Sequence, residues 1–143
     1  MSFGIPFENQ PTPELLTAGQ PSDAQFAAAA KAGYTTAINL RGFGEEGVDR
    51  APKTLPALGY RYVHIPVAGP AGITLANAKA LHEAMQAAEG KTIVYCASSN
   101  RVGALLALSA FHFDGRSAEE ALAFGRKGGL LGLEPLVRAM LRK

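Results

Sequence analysis

The stretch Thr92-Ile-Val-Tyr-Cys-Ala-Ser-Ser-Asn-Arg-Val-Gly103 decides how the rest of the chain is read. Thr92 to Tyr95 has the β-branched and aromatic make-up of a short buried strand, and the apolar run that continues through Phe113 has the length of a helix. Only the six-residue turn Cys96 to Arg101 separates them. A strand that feeds a helix so directly belongs to a crossover unit. Such units pair their strands in parallel, because each crossover must return the chain to the same edge of the sheet.

Working outward, the same alternation repeats. Upstream, Thr74 caps a helix whose apolar face is Leu75, Ala78, Leu81, Met85 and Ala88 and which ends at Gly90. Before it, Arg61 to Val67 reads as a strand, and a weak helical piece is interrupted by Pro52 and Pro56. Tyr34 to Leu40 is a further buried strand, followed by the glycine-punctuated loop Arg41 to Gly47. Ser22 and Gln25 form a capping box for a helix that stops at Gly33, and Glu14 to Ala18 offers a first short strand. Pro6, Pro11 and Pro13 keep the first dozen residues extended. Downstream, Asp114-Gly115 turns the chain into two closing helices, the first opened by a capping box from Ser117 to Glu120. The expected architecture is a three-layer α/β/α domain with a small central, mostly parallel sheet. It forms one unit over residues 1–143, with 1–13 as an extended N-terminal segment.

Composition narrows the partners. The 143 residues suit a single domain, and 48% hydrophobic against 18% charged residues is a globular balance. Twenty-six of the hydrophobic residues are Ala, which bury little area and let helices approach closely. A net charge of +2, without clustering, builds no face for nucleic acid or an anionic membrane. The longest apolar stretch, Val102 to Phe113, contains Ser109 and His112 and falls short of the roughly 20 residues that a membrane span needs. The lone Cys96 has no internal disulfide partner, and the first basic residue is Lys31, so a reducing cytoplasm is the expected compartment.

In parallel sheets the loops that follow the strands gather at one edge, where ligands bind. Arg41–Gly47, Ala68–Ile73 and Cys96–Arg101 are therefore expected to meet. In the last of these, the thiol of Cys96 faces backbone N–H groups that lack helical partners and feels the positive end of the helix dipole, which favours its thiolate. The amides of Ala97, Ser98, Ser99 and Asn100, curled into a nest, fit three oxygens of a phosphate or sulfate. Arg101 can return its planar fork to the same oxyanion. Arg41 stands where its strand reaches that edge, either to meet the anion or to pair with Glu45 or Glu46.

Thr17-Ala-Gly-Gln-Pro-Ser22, Ala32-Gly-Tyr-Thr-Thr-Ala-Ile-Asn-Leu-Arg41, Tyr62-Val-His-Ile-Pro-Val67 and Tyr95-Cys-Ala-Ser-Ser-Asn-Arg-Val-Gly-Ala-Leu105 together resemble the β-lactamase-hydrolase-like phosphatase family. That family is a branch of the cysteine-dependent tyrosine and dual-specificity phosphatases. The resemblance runs from about Leu15 to Arg138. It implies a phosphatase-like fold and a phosphate-binding loop with Cys96 as nucleophile and Arg101 as oxyanion ligand. The expected partner is a phosphate- or sulfate-bearing substrate, with no metal or other cofactor.

The departures from the superfamily pattern carry physical meaning. Four residues rather than five separate Cys96 from Arg101, a spacing also found in rhodanese-like sulfurtransferases. Tyr95 replaces the usual His. Ser99 replaces a glycine, so a left-handed backbone there would be strained. Val102 removes the hydroxyl expected after the arginine. The loop that normally carries an acidic proton donor reads Ala68-Gly-Pro-Ala-Gly-Ile73 and has none. Glu45, Glu46 and His64 are the remaining candidates for a general acid, and without one, aryl phosphates are the expected substrates. The expected function is therefore a phosphatase. The alternatives are a sulfurtransferase carrying a persulfide on Cys96, or a domain that binds phosphate or sulfate without catalysis.

Other signals are discounted. His82-Glu83-Ala-Met-Gln86 lacks the second histidine of a zinc helix and is read as an exposed face. His112 is read as a satisfied residue at a helix C-terminus. Gly125 to Gly129 is read as a C-cap and turn.

Overall fold

A computed structural model describes residues 2–141. Five strands, β1 (Asn9–Thr12), β2 (Leu15–Ala18), β3 (Tyr34–Arg41), β4 (Arg61–Val67) and β5 (Lys91–Tyr95), form one sheet in the order β1-β2-β5-β3-β4. The three pairings that crossovers connect are parallel: β2 with β5, β5 with β3, and β3 with β4. The exception is β1, which folds back antiparallel on β2 as an edge strand. The segment expected to be merely extended thus carries a ladder, with Pro11 in it, as edge strands tolerate.

Helices cover both faces. On one side lie α1 (Asp23–Lys31) and α2 (Ala51–Ala57); on the other lie α3 (Leu75–Gln86), α4 (Asn100–Phe113), α5 (Ala118–Lys127) and α6 (Glu134–Met140). The two-residue period of β5 divides the cores: Ile93 and Tyr95 face Phe26 of α1, while Val94 and Cys96 face the aliphatic cluster of α4. The expected three-layer α/β/α architecture is the one observed. Caps explain the helix starts. Ser22 and Ser117 each close a capping box with Gln25 and Glu120, and the Thr74 hydroxyl accepts from the Asn77 amide. None of the described helices is long and apolar enough to cross a membrane.

Helix α4 sits at the centre, and every residue from Val102 to Ala110 is buried. It can do so because its partner approaches at glycine. A Cβ on Gly103 would stand 2.2 Å from the Leu130 nitrogen and 2.6 Å from the Gly125 carbonyl oxygen, both backbone atoms that cannot swing aside. Gly103→Ala is therefore expected to cost about 3 kcal/mol of unfolding free energy, at the upper end of overpacking. Urea titration measures it directly, and an unchanged midpoint would refute this account of the crossing.

Candidate active site

The strands deliver their ends to one edge. Cys96 extends β5 by one residue, its N–H donating to the Ala18 carbonyl at 3.1 Å, and Ser98 makes a bridge to Gly19. The chain then turns at Ser99, whose φ of +68° is the left-handed value that the glycine replacement made costly, and α4 begins at Asn100. Packing holds that turn from two directions. Asn100 Oδ1 accepts from the amides of Leu131 and Leu133 at 2.9 and 3.3 Å. Gly129 lies so close that a Cβ on it would be 2.3 Å from that of Ser99.

Cys96 is fully buried, its side chain on the α4 face of the sheet among aliphatic residues. Arg101 does not turn away to water. Its side chain is 13% exposed and reaches across the sheet edge. There Nη1 donates to Glu45 Oε2 at 2.7 Å and to the Val67 carbonyl at 2.6 Å, while Nη2 donates to Glu45 Oε1 at 2.9 Å. This two-pronged pair joins the loop after β3, the end of β4 and the turn after β5. Of the three loops expected to meet, Arg41–Gly47 and Cys96–Arg101 are joined by this pair, and the loop after β4 comes in through its first residue, Ala68, against Gly42. The Glu45 hydrogen bond, opposed by burial and reinforced by the nearby Cys96 sulfur, holds the Arg101 pKa above its ordinary value. The guanidinium therefore stays charged within electrostatic reach of the sulfur.

Glu45 is the pivot of this wall. Its Oε2 also accepts from the Gly42 amide at 2.6 Å, and Arg41 Nε lies 3.4 Å from Oε1. The Arg101 hydrogen bond, against some desolvation and helped by the Gly42 amide and the two arginine charges, lowers its pKa below the ordinary glutamate value. The sign follows from linkage. A depressed carboxyl pKa keeps the pair complete above the usual carboxylate range, and the pair loosens only as pH falls through the lowered value.

Among the other expected donors, Glu46 is exposed and lines a groove with Gln20, Asp23 and Arg50. His64 Nε2 stands 2.7 Å from the Arg41 carbonyl, which only accepts, so that nitrogen carries a hydrogen and spends it there. The ring is stacked near Tyr62 and meets the edge of exposed Phe43. Arg41 takes the ion-pair alternative, with its side chain 11% exposed against Glu45. Ala97 and Ser98 are exposed on the turn, whereas Ser99 is buried. Tyr95 points to the opposite face, against Phe26, where burial raises its phenol pKa and keeps it neutral. Val102 is buried and brings no hydroxyl to the sulfur.

Two residue groups escaped sequence reasoning. One is the N-terminal turn around Phe7, whose carbonyl accepts from the Ser99 hydroxyl at 2.8 Å. The other is the Val67 carbonyl, since no side-chain motif marks a backbone acceptor. His82 is not the exposed residue expected: its side chain is 19% exposed, and Nδ1 lies 3.3 Å from Ser109 Oγ and 3.7 Å from Asp114 Oδ1. Both neighbours address the same nitrogen, so the trio is not a serine-histidine-aspartate relay. His112 Nε2 is buried without a hydrogen-bond partner, so the expectation of a satisfied histidine fails as well.

The chain is similar to known proteins at three levels. The family model for the Beta-lactamase hydrolase-like protein, phosphatase-like domain, matches residues 9–112. The Beta-lactamase hydrolase-like protein of Xylella fastidiosa (strain Temecula1) is 37% identical over 120 residues, and that of Agrobacterium fabrum is 34% identical. In both cases the match covers 80% of this chain but 27% of the relative, so the chain spans about a quarter of the length of those proteins. Among solved structures, a DUF442 protein of Shewanella putrefaciens CN-32 superimposes with a TM-score of 0.73 at 24% identity, covering 96% of this chain and 90% of that one. Human DUSP28 does so at 0.70 and 20%, covering 95% and 93%. A variant of P. aeruginosa TpbA in complex with pTyr does so at 0.68 and 19%, covering 99% and 86%. At these identities the likeness to solved structures is one of fold, shared with DUF442 and dual-specificity phosphatases. The extent of the family match, together with a cysteine and an inward arginine at the carboxyl edge of the sheet, leads to the conclusion that this chain belongs to the Beta-lactamase hydrolase-like, phosphatase-like domain family.

Proposed function

We propose that the chain hydrolyses phosphate monoesters through a phosphocysteine intermediate. The observation that carries this reading is the inward fork of Arg101, held by Glu45 and the Val67 carbonyl beside the sulfur of Cys96. An arginine on a merely solvated helix face would have no reason to be built into a wall of three loops.

In the first step the Cys96 thiolate attacks phosphorus, the S–P bond forms, and the bond to the leaving oxygen breaks. The amides from Ala97 to Arg101 and the Arg101 guanidinium take the three equatorial oxygens, whose charge is what such a cup stabilises. Water then attacks phosphorus, the S–P bond breaks, and orthophosphate leaves with the thiolate restored. Arg41 and Glu45 act behind Arg101 by fixing its fork rather than by touching the substrate. Proton delivery is the weak part of the site. Glu45 is engaged as a carboxylate, the Nε2 proton of His64 is engaged with Arg41, Glu46 faces another groove, and the loop after β4 has no titratable group. Aryl phosphates, whose leaving groups need little protonation, are the substrate class that fits.

The test is release of p-nitrophenol from p-nitrophenyl phosphate, coupled to protection of Cys96 from iodoacetamide by inorganic orthophosphate. Phosphate-protected alkylation with turnover supports the reading. Thiocyanate formed from thiosulfate and cyanide without any phosphate release would replace it with sulfur transfer, which the four-residue spacing between Cys96 and Arg101 also permits. Phosphate protection without turnover of any ester would leave a binding domain.

Glu45→Gln keeps the size of the side chain but removes the charge. It is expected to lower kcat/KM on p-nitrophenyl phosphate by tenfold to about a hundredfold, because a misaimed guanidinium loses much of its transition-state contact. Steady-state kinetics at neutral pH check this. A gain in rate would mean that the pair restrains Arg101 instead of aiming it.

A further inference from the structure

Among the described residues, two that are not glycine have positive φ: Phe7 at +58° and Ser99 at +68°. They lie 92 positions apart in sequence, yet they are joined directly, the Ser99 hydroxyl donating to the Phe7 carbonyl at 2.8 Å. A residue with a Cβ is strained in the left-handed region and stays there only when its surroundings over-determine it. Here they do. Ser99 is fully buried, and on one side Gly129 packs so closely that a Cβ added there would fall 2.3 Å from the Ser99 Cβ and 2.8 Å from the Ser99 carbonyl oxygen. On the other side, the turn Ile5–Glu8 is itself a fixed object. Its Pro6 carbonyl accepts from Gly19 at 2.7 Å, the Glu8 amide donates to Ile5 at 3.2 Å, and the Glu8 carboxylate accepts from the Phe3 and Ile5 amides at 3.0 to 3.2 Å.

Ser99 occupies the middle of the turn whose amides must converge on an anion. If its backbone relaxed out of the left-handed region, the peptide joining it to Asn100 would rotate and carry an amide away from the cup. We infer that Ser99 is a positioning residue, and that the N-terminal turn around Phe7 is the brace which keeps the oxyanion cup in its binding form through the Ser99 hydroxyl. The inference rests on the phosphatase reading and adds to it a remote element. The affinity for the phosphoryl group becomes a property of residues 5–8 as well as of the turn itself, because only the fraction of molecules with a formed cup binds.

Isothermal titration with inorganic orthophosphate tests the brace, using full-length variants. Ser99→Ala keeps the strained Cβ and removes the hydroxyl; about tenfold weaker binding is expected. Ser99→Gly also lacks the hydroxyl but adopts positive φ freely; binding within about threefold of wild type is expected. A purely structural role would move both variants together, in step with their thermal midpoints. Phe7→Pro provides an independent arm, since proline cannot take φ of +58° and residue 7 is on the surface. It is expected to weaken phosphate binding about tenfold beside Ser99 and to have no further effect in the Ser99→Gly background. Unchanged affinity in Ser99→Ala or in Phe7→Pro, or no recovery in Ser99→Gly, overturns the brace alone. Wild-type protein that takes up no orthophosphate overturns the phosphatase reading together with it.

Discussion

Cys96→Ser is expected to abolish turnover of p-nitrophenyl phosphate, a loss of at least about 10³-fold, while orthophosphate binding measured by titration stays within about threefold of wild type. The two halves of this result have separate causes. Turnover needs a nucleophile that forms a covalent bond to phosphorus, and a serine hydroxyl at neutral pH has no base in this wall to ionise it. Binding needs the amides of the turn and the Arg101 fork, and neither depends on sulfur. Serine keeps the Cβ and replaces the sulfur with a smaller atom, so the exchange brings no added bulk to the fully buried position 96 on the face packed against α4, and the turn is expected to keep its shape. A variant that still turns over the ester would remove Cys96 from the chemistry. A variant that folds but no longer binds phosphate would mean that sulfur itself organises the cup.

Much of this framework was legible in the chain because local rules and tertiary packing agree. The strand reading of Arg61–Val67 coincides with the observed β4, and the capping boxes at Ser22 and Ser117 mark helix starts that the fold keeps. Cys96 and Arg101 are legible as neighbours because strand, turn and helix are contiguous in sequence. What could not be read were contacts set by choices the local sequence leaves open. Glu45 and Glu46 are equivalent as neighbours; which one faces Arg101 is decided by the tight turn in which the Glu45 amide donates to Gly42 and the Gly42 amide donates back to the Glu45 carboxylate. Strand β1 is hidden in the sequence because Pro11 argues against a ladder, and only its edge position makes that proline harmless. Phe7 was hidden for a stronger reason: a bulky residue at positive φ contradicts its own propensity, and only the long-range bond from Ser99 reveals why it is there.

The missing proton donor leads to the second large effect. When an ester oxygen departs without protonation, the rate depends steeply on how well that oxygen carries negative charge. General acid help is worth on the order of 10² to 10⁴. Wild-type protein is therefore expected to prefer p-nitrophenyl phosphate to a simple alkyl phosphate by at least about 10² in kcat/KM, beyond any difference in binding. Gly69 offers a way to test the cause rather than the correlation. It lies two residues beyond the Val67 carbonyl that anchors Arg101, its φ of 172° is extended backbone open to any residue, and a Cβ there would meet nothing within 4 Å. Gly69→Asp puts a carboxyl on this loop and is expected to raise alkyl phosphate hydrolysis about tenfold while changing p-nitrophenyl phosphate little. The gain should fade as pH rises, because only the protonated carboxyl can give its proton to the leaving oxygen. Comparable wild-type rates on the two ester classes would instead mean that the chain already has a working acid. His64→Asn would then be the variant to measure, since His64, in the middle of β4, stacks near Tyr62 and bonds the Arg41 carbonyl beside the same wall.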